Sequence, residues 1–155
     1  MGEALKKWLK MTKELELREE VDLNLRVAVT LLDERFDKII SPFKITPAQY
    51  NVLRILKGVH PEGHARCEIA TRMIERASDI TRIIDRLEKQ NLVVRDRTNE
   101  DRRISITRIT EKGIELVEKL KPLVEKEHKE NTKGLTDDEC MQLSVLLEKL
   151  YKDKI

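Results

Sequence analysis

Apolar residues recur at helical spacing through most of the first forty positions. Val21, Leu25, Ala28 and Leu32 share one stripe, and Leu17, Leu31, Phe36 and Ile39 widen it. The pattern predicts helix from about residue 3 to about residue 40, in one long piece or two joined pieces. Leu5, Trp8, Leu9 and Leu15 ride on an otherwise basic N-terminal portion, a face suited to covering a partner subunit. Ser41-Pro42 stops the run, because a residue before proline is pushed out of the helical region.

Thr46-Pro47-Ala48-Gln49 predicts a second helix start, with Thr46 as N-cap, Pro47 in the first turn and Gln49 completing a capping box. Tyr50, Leu53 and Leu56 face inward, and Gly58 ends the helix. A polar connection, His60 to His64, leads to a short third helix from Cys67 to Ile74. After a tight turn over Glu75-Arg76-Ala77, Ser78 is the expected cap of a fourth helix reaching Gln90. Ile80, Ile83, Ile84 and Leu87 make its inner stripe, leaving Thr81, Arg82, Asp85, Arg86 and Lys89 outside. Two helices joined so closely form a helix-turn-helix candidate.

The period then changes to two. Leu92-Val93-Val94-Arg95 reads as a strand, and Ile104 and Ile106 alternate with Ser105 and Thr107 in another. The intervening Asp96 to Arg103 is too long for a tight hairpin and predicts a projecting wing. Thr110 caps a fifth helix to Asn131, with a kink expected at Pro122. Thr136-Asp-Asp-Glu139 is a second capping box, opening a sixth helix to Lys152 whose apolar face holds Leu143, Leu146, Leu147 and Leu150. The class is mostly α with a small β component (α+β).

Composition narrows the function. A net charge of +2 gives no long-range pull on a polyanion, so any attraction must come from local clustering. No apolar run approaches the roughly 18 residues that span a bilayer, and no membrane partner is expected. The two cysteines, Cys67 and Cys140, have no framework spacing and fit a reducing, cytoplasmic setting. The five glycines match neither a dinucleotide fingerprint nor a phosphate loop, and no nucleophile elbow or His-Glu-x-x-His is present. No catalysis and no cofactor are expected.

The arginines are the informative residues. Ten of fourteen lie between Arg66 and Arg108, a stretch with one lysine, Lys89, whereas the last 47 residues hold nine lysines and no arginine. A guanidinium is a flat, permanently charged fork suited to phosphate oxygens and guanine edges. Concentrating forks on one helix-turn-helix and its loop predicts a grip on nucleic acid. No aromatic residue lies in that segment, which disfavours single strands, whose bases need stacking platforms.

Asp85-Arg86-Leu87-Glu88-Lys89, then Leu92-Val93-Val94-Arg95, Asp101-Arg102-Arg103 and Ile109-Thr110-Glu111-Lys112-Gly113 together resemble the MarR family of bacterial transcriptional regulators. Ser41 to Gln49 is similar to that family's link from first to second helix, and the likeness extends over about residues 15 to 150. Asn91 and Lys44 stand where the family commonly has glycine. The turn before Ser78 also lacks glycine.

The resemblance implies a winged helix-turn-helix at residues 45–113, flanked by N- and C-terminal dimerisation helices at 1–44 and 114–155. It implies a homodimer that binds double-stranded DNA at a near-palindromic operator, commonly as a repressor released by a small-molecule inducer. Ser78, Thr81 and Arg82 would then face bases and nearby phosphates, and Arg86 the backbone. Asp101 would orient Arg103 into the minor groove while Arg95, Arg97 and Arg102 clamp phosphates. Cys67 and Cys140 are candidates for thiol sensing, and His60, His64 and Cys67 have spacing a metal could use, though no metal is assigned. The competing reading is a helical interaction module whose winged helix contacts protein.

Overall fold

A computed structural model describes residues 2–75, 79–96 and 105–154. The N-terminal helical pattern resolves into two pieces. α1 (Glu3–Leu9) ends where Lys10 turns left-handed at φ 54°, and α2 (Leu17–Ile40) follows. The Gly2 amide donates to Glu20 and Lys6 to Glu14, each at 2.6 Å, tying α1 to the start of α2.

A 3-10 turn at Ser41–Phe43 leads to α3 (Pro47–Lys57). Its predicted capping box is present: Thr46 Oγ1 accepts from the Gln49 amide, and Gln49 Oε1 accepts from the Thr46 amide. Gly58 caps the far end at φ −64°, so this helix stops without a left-handed residue. Tyr50, Leu53 and Leu56 are buried, as their spacing requires.

The His60–His64 connection is not wholly loop. It ends in β1 (His64–Ala65), a strand too short to show a period. α4 (Arg66–Arg72) is shorter than its apolar pattern predicts, because Met73 leaves the helix in an extended conformation and buries its side chain. α5 (Ile80–Lys89), β2 (Val93–Asp96), β3 (Ile106–Ile109), α6 (Glu111–Thr132) and α7 (Asp137–Tyr151) complete the order. α6 runs through Pro122. The strands form one antiparallel sheet in the order β1-β3-β2, with Thr107 opposite both His64 and Arg95.

In β3 the period of two survives with opposite phase. Thr107 and Ile109 are buried, while Ile106 and Arg108 are half-covered. The face packed on the core explains this: Ile109 joins the main core, and Thr107, two residues earlier, shares its face of the sheet. Ile104, expected to lead the strand, lies outside the described residues.

The core gathers Ile40, Leu53, Leu56, Ile69, Leu87 and Leu120, all fully buried, so one cluster joins α2, α3, α4, α5 and α6. Phe36 and Tyr50 add a tilted ring pair at 5.8 Å between α2 and α3. By contrast α7 buries no residue, and α2 buries only Ile40. Leu17, Val29, Met141, Leu146 and Leu150 remain at least half exposed. That surplus is what the leucine stripes of α2 and α7 imply.

Gly113 sits where α6 meets the sheet. A Cβ there would stand 2.3 Å from the Leu92 carbonyl oxygen and 2.7 Å from Ile109 Cγ1. Backbone cannot yield as a flexible side chain does, so Gly113→Ala should cost about 2–4 kcal/mol in a urea titration. Asn91→Gly, which only relieves a left-handed residue at φ 57°, should change stability by less than about 1 kcal/mol in the same assay.

Candidate nucleic-acid interface

The site is built on α5. Ile84 and Leu87 are buried and Ile80 and Ile83 pack against the core, so the opposite face turns outward with Arg82, Arg86 and Lys89 exposed. The observed cap is Asp79, one residue after the expected Ser78: its carboxylate accepts from the Arg82 amide at 3.1 Å. A carboxylate suits this position because it pairs an orphan amide and the positive end of the helix dipole. The same carboxylate lies 3.4 Å from Arg82 Nε, on a guanidinium side chain that is 72% exposed. Arg86 makes no hydrogen bond or ion pair among the described residues.

Thr81 is half-buried, and its hydroxyl accepts from Arg66 Nη1 at 3.1 Å, which joins the first turn of α5 to the start of α4. Arg95 departs most from expectation. Instead of standing free for a phosphate, its guanidinium hydrogen-bonds Asp85 and lies 2.9 Å from Glu88, with the side chain only 18% exposed. Across the sheet, Arg108 donates to Asp96 at 2.8 Å. Ser78, Arg97, Asp101, Arg102 and Arg103 lie outside the described residues. The strands bracketing the last four end side by side, Asp96 opposite Ile106.

Sequence reasoning overlooked Arg66, Asp79, Glu88 and Arg108 as parts of this surface. A signal existed for one of them: Asp85 and Glu88 are three apart on one helix face, a spacing that invites a shared cation. Which cation answers is a matter of sheet register, since Arg95 reaches α5 only from β2.

A second feature lies between α2, α3 and α6. A cavity of about 320 Å³ is walled by Leu32, Phe36, Tyr50, Met73 and Val124, and its polar lining holds Arg54 and His128 together with the carboxylates of Asp33 and Glu75. Burial pushes the Tyr50 hydroxyl above its ordinary pKa, so it stays a neutral phenol. Ile74 and Glu75, which precede α5 in the chain, also line the cavity. Of the sensing candidates, Cys67 is exposed and Cys140 half-buried. Among the described residues no group of three or more His, Cys, Asp or Glu is placed to hold a metal.

Comparison with known proteins decides what this arrangement is. Residues 45–105 match the model of the MarR family. The structure of a MarR transcription factor from Planctomyces limnophilus is 37% identical, covering 88% of this chain and 98% of that one, with a TM-score of 0.70. The chain belongs to the MarR family.

A mutant Escherichia coli MarR complexed with operator DNA is 27% identical, covering 88% of this chain and 99% of that one, with a TM-score of 0.75. The transcriptional repressor IacR of Pseudomonas putida is 27% identical, over 76% of this chain and 70% of its own length. This protein is therefore a MarR-family transcriptional regulator, with the winged helix-turn-helix fold. Lys44 and Asn91 both adopt positive φ, at 59° and 57°, the left-handed region that favours glycine. Among the described residues no helix is long and apolar enough to cross a membrane.

Asp79 is testable apart from DNA. Asp79→Ala should cost about 1 kcal/mol in urea denaturation, as removal of an N-cap does. Asp79→Asn, which retains an acceptor, should recover most of that loss.

Proposed function

We propose that this regulator is a homodimeric repressor that grips a near-palindromic duplex operator and lets go when a small apolar acid enters the cavity beside α3. Residues 45–113 form the DNA-binding unit, and 1–44 with 114–155 the dimerisation helices. The reading includes no catalytic step, cofactor or resident metal, and places the protein in the cytoplasm. The observation that carries it is α5: a helix anchored by Ile84 and Leu87 whose outer face displays Arg82, Arg86 and Lys89 beside the strands of the wing.

In this reading α5 enters the major groove. Ser78, Thr81 and Arg82 reach bases or adjacent phosphates, and Arg86 the backbone. Each bidentate guanidinium–guanine contact is worth about 1–3 kcal/mol of discrimination. Asp101 orients Arg103 for the minor groove, and Arg97 and Arg102 hold phosphates. Dimerisation answers the uncovered leucines of α2 and α7, since exposed apolar surface of this extent marks an interface. A two-fold pair sets its two α5 helices about one DNA turn apart.

The inducer reading rests on the cavity's chemistry. Apolar walls suit a ring or chain, and Arg54 with His128 can meet an acidic group even though Asp33 and Glu75 also line the cavity. An occupant would also touch the segment that leads into α5, which gives it a differential grip on the DNA-competent state.

On a duplex from upstream of its own gene, with a random duplex as control, Arg103→Ala should weaken binding at least about tenfold, a step of roughly 1.4 kcal/mol, without changing the melting temperature. Unchanged affinity at moderate salt would remove the wing from the interface. Affinity should also fall steeply with added salt as counterions are released. Light scattering at micromolar concentration should return the mass of a dimer. Benzoate-type acids should raise the melting temperature and loosen the operator, with both effects lost in Arg54→Ala.

A further inference from the structure

We propose that Arg95 is a positioning residue for DNA recognition: it locks α5 to the first strand of the wing through Asp85 and Glu88, and does not itself touch DNA. The proposal rests on the DNA-binding reading above. Arg95 stands in β2 opposite Thr107, and its Nη2 hydrogen-bonds Asp85 and lies 2.9 Å from Glu88. The two carboxylates are partly covered, at 42% and 34% exposure, and the guanidinium more so, at 18%. The Arg95 Nε is buried without a hydrogen-bond partner, so the fork is turned into the molecule.

Two chemical facts make this more than a surface bridge. First, Asp85 and Glu88 are negative charges on a helix that approaches a polyanion. One guanidinium between them halves their net negative charge and so reduces the repulsion they would exert. Second, a planar fork fixes the directions of its hydrogen bonds as an ammonium cannot, so a lysine would hold charge but not angle. The angle matters because α5 and the segment after β2 engage different grooves. Presetting their relation removes an ordering cost from binding.

The alternative role, a phosphate clamp, predicts opposite results. Asp85→Asn removes a negative charge beside the DNA. On the clamp reading it frees Arg95, and affinity holds or rises. On the positioning reading, affinity for the upstream duplex falls about tenfold or more, the scale of a coupling near 1.4 kcal/mol. The slope of log affinity against log salt separates the two again. Arg95→Gln leaves it unchanged if no phosphate contact is lost, and reduces its magnitude by about one if a clamp is removed. The double variant Asp85→Asn/Arg95→Gln should bind no worse than the weaker single, and Arg95→Lys should recover only part of the loss. Binding to a random duplex should be nearly unchanged throughout.

The experiment is a set of salt titrations of these full-length variants on the upstream and random duplexes, with each variant's melting temperature measured without DNA. Should Asp85→Asn fail to fold, Glu88→Gln is read in its place, with the same expected loss. A wild-type protein that does not prefer the upstream duplex overturns the DNA-binding reading. A wild type that prefers it, joined to a carboxamide variant that binds as well or better, overturns the role of Arg95 alone.

Discussion

Because Ile84 and Leu87 are sealed against the core formed with α3 and the start of β2, α5 can turn only one face to solvent, and that face carries Arg82, Arg86 and Lys89. Magnitudes say which force sets this orientation. Burying a large aliphatic side chain contributes about 1.5–3 kcal/mol, whereas an exposed ion pair contributes under about 1 kcal/mol. The hydrophobic stripe therefore chooses the face, and the polar links can only refine the angle. Everything functional about the helix follows from that division of labour.

The refinement comes from arginines that link one element to another. Arg66 holds Thr81 at the start of α5, Arg95 holds Asp85 and Glu88 further along it, and Arg108 holds Asp96 at the end of β2. A run of arginine in the central segment is thus two populations. Some are struts between elements, and others, Arg82 and Arg86 among the described residues, face outward. Guanidinium suits both tasks for one reason: its donors are fixed in a plane, so it imposes direction on whatever oxygen it meets.

The same chain keeps a second apolar surface in reserve. The core is complete with residues from α2 to α6, yet α2 and α7 continue to present leucine, valine and methionine to water. A fold that has already closed its core gains nothing internally from those side chains. Their placement on the terminal helices keeps this exposed apolar surface apart from the charged face of α5, and the cavity at Phe36, Tyr50 and Arg54 lies where α2 and α6 meet the winged helix.

Local pattern alone determined that these segments are helical, both capping boxes, the inner stripe of α5 and the resemblance to the family. Each of these depends on residues within one or two turns of one another, where period and cap chemistry act directly. Tertiary structure decided the rest. β1 is two residues long and exists because β3 offers it an edge. The phase of β3 follows from which of its faces packs on the core, and the early exit from α4 from the burial of Met73. Arg95 looked like one more outward fork because its neighbours in sequence are a strand and a charged loop. Its carboxylate partners sit on a helix, and only the packing of α5 against β2 brings them within reach. Pairing between elements is set by register, which short-range composition does not encode.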